Sequence, residues 1–221
     1  MPNRARPPQR SPLALAVLAA LVEEPMHPYQ MQRLIKERGK DKVINVRQRT
    51  GIYQTIERLL RDGLIEVAET SRDGRRPERT VYQVTEEGRQ TAQDWMLDML
   101  STPATEFPEF PAALSLLGLL TPADAIKALE LRATLLQGEV ARGRAMMETF
   151  QAALPRLFLI EEEYVMAMRK AELHWVMGLL RDLRSGALAW SEEGLRRWGE
   201  ESRGAPSLRA LPAPPRREDA M

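Results

Sequence analysis

Residues 50–85 read TGIYQTIERLLRDGLIEVAETSRDGRRPERTVYQVT, and this stretch decides the fold that we predict. It begins as an amphipathic helix, turns at Asp62-Gly63 into an apolar extended run, and returns through a polar loop in a second strand. Helix, strand, basic hairpin and strand follow one another in the order of a winged helix. In that arrangement the helix can lie in the major groove of DNA while the hairpin reaches the neighbouring backbone.

The helix predicted over residues 50–63 has one apolar and one polar face. Its apolar residues recur at i, i+4, i+7 and i+8, and they are Ile52, Ile56, Leu59 and Leu60. Gln54 lies on the polar face, and because a glutamine amide can pair with the edge of adenine, we predict that it reads a base. The DNA contacts predicted on this helix and just before it are Arg47, Arg49, Thr50, Tyr53, Gln54 and Arg58. The alternative for the same face is an ordinary solvated helix surface.

The hairpin that follows is predicted to hold the DNA backbone. Gly63 ends the helix in the left-handed conformation, and residues 64–67 and 80–84 have the composition of strands. Arg75, Arg76 and Arg79 lie in or beside the connecting loop, where arginine side chains bind phosphates without reading sequence. These three arginines are therefore predicted as wing contacts.

Two helices are predicted before residue 47. The first, over residues 12–24, is apolar on most sides and should be buried against more than one partner, and we assign its Leu13 and Val17 to dimerisation. The second begins at Pro28 and ends before Gly39, because proline is favoured at the first helical position and glycine after the last. His27 is expected to cap or pack at this turn. Tyr29 has two open interpretations, a hydroxyl that contacts phosphate or a ring that packs in the turn.

The C-terminal part has the clearest periodicity in the chain. After the cap and proline at Thr121-Pro122, apolar residues alternate spacings of three and four, which is typical of a heptad seam. The seam consists of Ile126, Leu129, Ala133, Leu136, Val140, Gly143, Met147, Phe150 and Leu154, and all but Ala133 and Gly143 are assigned to dimerisation. Gly143 is its predicted weak point. A second helix over residues 156–185 should pair with the first beyond Pro155, and a second subunit is expected to cover the apolar surface that one pair leaves.

Composition limits the class of protein. The 221 residues contain no cysteine and two histidines, which excludes a disulfide framework, a thiol nucleophile and a cysteine-type zinc site. No residues form a nucleophile, base and acid set or a glycine-rich phosphate loop, so we expect neither an enzyme nor a cofactor or metal. No apolar run approaches the ~18 to 20 residues of a membrane span, and the first apolar run is interpreted as a buried helix, not a signal peptide. We expect a cytoplasmic protein.

The charge is unevenly distributed along the chain. The net charge is only +1, but up to Arg79 basic residues exceed acidic ones by six, and over the remainder acidic residues are in excess by five. This asymmetry suits a DNA-binding head joined to a body that does not touch DNA.

These patterns predict a mainly α fold with an N-terminal winged helix-turn-helix, made of three helices and a two-stranded wing, and an all-helical C-terminal dimerisation domain. Residues 1–11 are expected to form a disordered basic tail, residues 12–100 the winged helix with a linking helix, and residues 101–111 a proline-rich linker. Residues 112–202 should form the helical dimerisation and effector domain, and residues 203–221 a disordered tail.

Five segments of the chain occur in a defined order. They are His27-Pro28-Tyr29-Gln30-Met31, Gly51-Ile52-Tyr53, Asp62-Gly63-Leu64-Ile65, Gly74-Arg75-Arg76-Pro77, and Tyr82-Gln83-Val84-Thr85-Glu86-Glu87-Gly88-Arg89. In this order they resemble the PadR family of bacterial transcriptional regulators over about residues 13–100, and residues 121–190 resemble the long helical region of its larger members. Some members bind flat aromatic compounds between tryptophans at the dimer centre, so the resemblance makes Trp95 and Trp175 candidates for effector contacts. For Trp95 the alternative is a packing role in the core.

We therefore expect a homodimer that binds double-stranded DNA sequence-specifically and regulates transcription, by resemblance as a repressor on an inverted repeat that a small effector relieves. The alternative is a winged-helix module for protein–protein interaction, with the coiled helices mediating assembly. The basic polar face of helix 50–63 and the charge asymmetry favour DNA.

Overall fold

The computed structural model describes residues 8–46, 49–71 and 79–201, except the side chains of residues 49, 50, 70, 71 and 79. It divides into two units, one ending at Glu106 and the other beginning at Phe107. The predicted tails of 1–11 and 203–221 lie outside the described residues apart from residues 8–11.

Three helices open the N-terminal unit, and local hydrogen bonds fix where the first two begin. They are α1 (Pro12–Glu23), α2 (Pro28–Glu37) and α3 (Arg49–Arg61). Ser11 caps α1 by accepting the Ala14 N–H at 3.1 Å. At α2, His27 Nδ1 accepts the Gln30 N–H and Gln30 Oε1 accepts the His27 N–H, both at 3.2 Å, which forms a reciprocal capping box.

A two-stranded antiparallel sheet follows α3. Gly63 takes the left-handed conformation predicted for it, with φ 73°, and reverses the chain into β1 (Ile65–Ser71), which pairs with β2 (Arg79–Val84). Met26 adds an isolated antiparallel bridge to Tyr82, with both N–H···O distances at 3.1 Å. This bridge anchors the beginning of α2 beside β2.

Helix α4 (Glu86–Ser101) completes the N-terminal unit. Thr85 caps it by accepting the Gly88 N–H at 3.0 Å, and its hydroxyl donates to the Gly63 carbonyl at 2.8 Å. One threonine therefore joins the beginning of α4 to the turn that ends α3.

One apolar core holds these elements together. Val17 of α1 is fully buried in it, and Leu13 packs partly buried against it. The side chain of Val17 is therefore enclosed by its own subunit. The largest fully buried side chains of this core are Leu18, Leu21, Met31, Ile52, Ile56, Leu59, Leu64, Ile65, Val17 and Val46.

The core-facing stripe of α3 differs by one residue from the predicted one. Leu60 is 39% exposed, whereas Thr55 is 6% exposed and donates its hydroxyl to the Gly51 carbonyl at 2.7 Å. The predicted inward position of Leu60 is wrong because the buried stripe runs through residues 52, 55, 56 and 59 and turns residue 60 toward solvent.

The C-terminal unit is built on a long antiparallel helix pair. Helix α6 (Pro122–Phe150) begins at the predicted Thr121 cap, and α7 (Ile160–Ser185) follows a turn and ends at Gly186. The seam was predicted to continue to Leu154, but α6 ends at Phe150. The second helix was predicted to begin at about Arg156, where a 3₁₀ turn, Arg156–Phe158, leads into α7. Pro155 disfavours helical backbone in the residue before it, so the chain leaves the helix early.

Two shorter helices flank this pair. Helix α5 (Glu109–Ser115) precedes α6, and α8 (Glu192–Glu201) follows α7. The sequence did not predict α5, since its residues were assigned in part to the proline-rich linker. Phe110 of α5 packs partly buried against the core of this unit.

The central part of the predicted seam packs against α7 of the same chain. Leu129, Ala133 and Leu136 form a core with Val176, Leu180 and Leu183. Val140 and Gly143 are also buried, Ile126 and Met147 are half-buried, and Phe150 and Leu154 are exposed.

Over the described residues, eight α-helices and one two-stranded sheet are present, and the predicted fold class is confirmed.

Candidate nucleic-acid interface

The polar face of α3 is open, as the sequence predicted for part of it. Tyr53 is 51% exposed, and Gln54 and Glu57 are also exposed. Arg58 differs, because it is half-buried and its Nη2 donates to Ser11 Oγ at 3.4 Å. Its guanidinium therefore contacts the residue that caps α1.

For several of the predicted DNA contacts, the structure does not describe the side chain. Arg47, Arg75 and Arg76 lie outside the described residues. Arg49 and Thr50 lie in the first turn of α3 and Arg79 is the first residue of β2, with only their backbones described. Their DNA contacts remain predictions.

A cleft of about 600 Å³ opens beside Tyr53, between the beginning of α2, α3 and β2, and we call it the α2–β2 cleft. Its position follows from the Met26–Tyr82 bridge, which holds β2 next to the first turn of α2. It is lined by His27, Pro28, Tyr29, Gln30, Arg33, Tyr53, Thr80 and Tyr82.

The structure describes two residues of this cleft, His27 and Tyr29, for which the sequence left alternatives open. His27 caps α2 through Nδ1, as expected for a histidine beside a turn. Tyr29 is 57% exposed, and its ring stacks against that of His27 with centroids 6.2 Å apart. Its hydroxyl therefore belongs to an accessible side chain, not to one enclosed in the turn.

The sequence did not identify Arg33, Thr80 and Tyr82 as part of the site. Arg33 follows Tyr29 by four residues and so shares its helix face, and Thr80 and Tyr82 are two apart and so share one face of β2. These spacings were available from the sequence. The α2 face and the β2 face come together through the Met26–Tyr82 bridge, which no local sequence pattern predicts.

The described lining of the cleft carries positive charge. Among the described residues that line it, Arg33 carries the only fixed charge and none is a carboxylate. Arg33 Nε lies 3.3 Å from Glu37 Oε1 on the next helical turn, and both side chains are 60% exposed. An exposed pair of this kind contributes little, so Arg33 can turn toward an anion at small cost.

The two tryptophans proposed for effector contacts lie in different environments. Trp95 belongs to the core of the N-terminal unit and is 9% exposed. Trp175 on α7 is half-exposed and meets the Phe110 ring edge-on, with centroids 6.1 Å apart. The guanidinium carbon of Arg132 lies 3.5 Å above the Phe110 ring, so an aromatic and a cationic group adjoin Trp175.

Within the part of the chain that the structure describes, no helix is long and apolar enough to cross a membrane. The same residues contain no group of three or more side chains arranged to hold a metal ion.

Residues 17–94 match the family described as Transcriptional regulator PadR-like family. No curated protein matches the chain. Bacillus subtilis PadR in complex with operator DNA has a similar structure, with a TM-score of 0.62 and 19% identity over 77% of this chain and 98% of that one. The same protein in complex with p-coumaric acid gives 0.62 and 18% over 78% and 98%.

A third similar structure is the Vibrio cholerae virulence activator AphA, with a TM-score of 0.57 and 17% identity over 78% of this chain and 98% of that one. The likeness extends beyond the winged helix, since it covers more than three quarters of the chain. The family match begins within α1 and ends within α4, so it includes the elements that form the cleft and the open face of α3. Residues 17–94 of this chain therefore form a domain that matches the PadR-like family of transcriptional regulators.

Proposed function

We propose that this protein regulates transcription by binding double-stranded DNA sequence-specifically as a homodimer on an inverted repeat. The observation that carries the proposal is the open face of α3 beside a cleft in which Arg33 is the one fixed charge among the described lining residues. In this arrangement α3 lies in the major groove and Gln54 reads a base edge, while Tyr29 and Tyr53 face the backbone. The similar PadR of Bacillus subtilis was crystallised with operator DNA, which supports the proposal.

An exposed apolar surface on α7 supports the homodimer. Helix α7 buries Val176, Leu180 and Leu183 against α6, yet a second row of apolar side chains remains in contact with solvent. This exposed stripe of α7 consists of Ile160, Tyr164, Met168, Ala171 and Trp175. Its spacings of three and four are those of a coiled-coil seam, and its length is about 22 Å.

We propose that a second copy of the chain covers this stripe and removes it from water. Water-exposed apolar rows of this length mark association sites in soluble proteins. Pairing of two α7 helices about a twofold axis presents two copies of α3, and two half-sites about 34–36 Å apart can then be read together.

We propose repression as the sign of regulation, because a dimer bound across a promoter excludes RNA polymerase. AphA has a similar structure and is named an activator, so the fold alone leaves the sign open. A reporter gene under the bound promoter tests it. Lower expression with the protein present is expected, and higher expression would contradict repression.

For the effector we propose a flat aromatic molecule that contacts the helical body near Trp175. The half-exposed Trp175 and the Phe110 ring provide aromatic faces, and the Arg132 guanidinium, which is paired with Glu172, lies over the Phe110 ring. PadR of Bacillus subtilis was crystallised with p-coumaric acid, a compound of this class. Titration with p-coumaric acid should change tryptophan fluorescence saturably, and Trp175→Phe should remove the change while Trp198→Phe keeps it. An unaltered response in Trp175→Phe would contradict the assignment.

The experiment that tests the function is selection of bound fragments from the source genome at moderate salt. Recovery of a small set of fragments that share an inverted repeat is expected. Recovery without any shared sequence would contradict specific recognition and would favour a winged-helix module that binds another protein.

A further inference from the structure

The α2–β2 cleft has a hydrogen-bonding character that the base-reading role of α3 does not explain. Two of its side-chain acceptors, His27 Nδ1 and Gln30 Oε1, already accept backbone N–H groups in the capping box of α2. The hydroxyl groups of Thr80 and Tyr82 can donate as well as accept, and the guanidinium of Arg33 can only donate. An anionic ligand that accepts hydrogen bonds matches these groups, because Arg33 supplies a positive charge and both hydroxyl groups can donate.

The position of the cleft limits where such a ligand comes from. Tyr53 is part of the lining and Gln54 is the next residue of α3, so the cleft opens beside the face that we propose to enter the major groove. Phosphates run along both edges of a groove about 12 Å wide. A helix seated in the groove thus brings one strand of phosphates toward the cleft.

The size of the cleft also matters. A volume of about 600 Å³ exceeds the space of one phosphate group and admits a phosphate with its neighbouring sugars. Small-molecule sites have similar volumes, about 300–1,000 Å³, so a free aromatic anion is the competing occupant.

Resting on the proposed function, we propose that the α2–β2 cleft seats one phosphodiester of the bound DNA in each subunit. Arg33 supplies the charge, and the hydroxyl groups of Thr80 and Tyr82 donate hydrogen bonds to the phosphate oxygens. The contact is independent of base sequence, and it fixes how deeply α3 enters the groove. Arg33, Thr80 and Tyr82 are thereby DNA-positioning residues in addition to those predicted from the sequence.

The first test is the salt dependence of binding to a duplex recovered by genomic selection. Loss of one phosphate contact lowers the slope of log K against log salt by about 0.9 per subunit. Arg33→Gln should show that change together with about 10-fold weaker binding at fixed salt. Thr80→Val should weaken binding about 3-fold to 10-fold with an unchanged slope, because a neutral donor releases no counterion.

Two control variants separate the phosphate contact from general charge loss. Arg61→Gln removes an exposed arginine of α3 that pairs with Asp62 outside the cleft, and should alter the slope by less than half as much. Glu37→Gln breaks the same ion pair as Arg33→Gln but leaves the guanidinium in place, so it should bind at least as tightly as the wild type.

The decisive test places a neutral methylphosphonate at successive positions of the duplex. One position in each half-site should weaken wild-type binding at least about 5-fold and have little further effect on Arg33→Gln. Equal losses of affinity at every methylphosphonate position, in both the wild type and Arg33→Gln, would contradict the proposed phosphate contact. If p-coumaric acid competes with DNA in an Arg33-dependent way without such coupling, the cleft is a small-anion site and the proposal is wrong. Failure of the wild type to retain any duplex would overturn the proposed function itself, a separate outcome.

Discussion

At the scale of single residues, Gly88 determines how α4 meets the turn between α3 and β1. A Cβ atom at this position would lie 2.0 Å from the Leu64 carbonyl oxygen and 2.9 Å from Val84 Cγ2. The oxygen belongs to backbone that Thr85 also contacts, with its N–H donating at 3.1 Å, so it cannot move aside cheaply. Glycine is required here for close approach of two backbones.

Gly88→Ala should lower the free energy of unfolding by about 3 kcal/mol, at the upper end of overpacking effects. Gly51→Ala in α3 is the matched control, because its Cβ would meet only Leu13 Cδ2 at an ordinary 3.7 Å and alanine favours helix by roughly 0.5–1 kcal/mol. Urea denaturation followed by circular dichroism measures both. Equal stability of the two variants would show that α4 does not pack as described.

A second residue-scale contact joins the end of α1 to the end of α2. Arg38 donates to both carboxylate oxygens of Glu23, at 2.5 and 2.6 Å, and both side chains are about half-exposed. These hydrogen bonds from Arg38 hold the pKa of the Glu23 carboxyl below its ordinary value. A depressed pKa in the folded state means that the ionised form is the one that folding stabilises.

The contribution of this pair should therefore be complete above about pH 4.5 and disappear as the pH falls through the folded-state pKa. At pH 7, Glu23→Gln should lower the free energy of unfolding by about 0.2–1 kcal/mol, the range of exposed ion pairs. Once the pH lies below the folded-state pKa of Glu23, the variant and the wild type should be equally stable. A difference that persists in acid would mean that the effect of Glu23 is not electrostatic.

At the scale of elements, local patterns predicted most of the helices and strands. Caps and glycines act through neighbouring backbone, which explains why the Thr121 cap and the left-handed Gly63 are found where the sequence placed them. Helix α5 was missed because its prolines, Pro108 and Pro111, resemble a linker, and its partial burial depends on a distant core. The local sequence cannot predict a contact with a core formed by distant residues.

Gly143 shows the same limit in α6. The sequence marks it as a weak point in the seam, whereas in the structure it is a point of close approach between α6 and α7. A Cβ atom there would lie 3.0 Å from Glu162 Oε1 and 3.5 Å from Met166 Sδ. Tertiary packing, not the local sequence, determines which helix lies opposite a small residue.

The packing of α6 on α7 predicts that replacing two leucines with alanine will lower the free energy of unfolding by very different amounts. Leu180 is 1% exposed in the core of the C-terminal unit, and Leu131 on the outer side of α6 is 62% exposed. Leu180→Ala should cost about 2–5 kcal/mol of unfolding free energy and Leu131→Ala less than about 0.5. Thermal denaturation compares them, and similar costs would contradict the orientation of α6.

At the scale of the whole molecule, the candidate site is assembled from distant segments. Tyr53 and Tyr29 could be proposed from the sequence because each stands near a helix beginning. Arg33, Thr80 and Tyr82 join them only through the bridge between Met26 and β2. The sequence therefore predicted α3 and its polar face, and the structure was needed to place the α2–β2 cleft beside it.

The exposed stripe of α7 gives the molecular-scale prediction. The double variant Tyr164→Arg with Met168→Arg should sediment as a single chain of 25.1 kDa, while the wild type sediments as a dimer at micromolar concentration. The physical reason is that two charges in an apolar interface remain unpaired when it closes. Both changed side chains are exposed within the subunit, so circular dichroism should show an unchanged helix content.

The control for this prediction is Leu131→Arg with Leu135→Arg, which alters the exposed apolar residues of α6. This variant should remain dimeric. If it dissociates while the α7 variant stays a dimer, the subunits meet through α6 and the assignment of the stripe is wrong.

The most direct test of the account is a fluorescence-anisotropy titration of the protein with a selected genomic duplex and with a shuffled duplex of equal length and composition. We predict saturable binding that is at least about 10³-fold tighter for the selected duplex, because specific complexes exceed non-specific ones by that factor or more. Gln54→Ala should reduce this preference by roughly 1–3 kcal/mol while leaving the salt slope unchanged. Equal affinity for both duplexes, or no binding to either at low salt, would contradict the claim that this winged helix reads DNA.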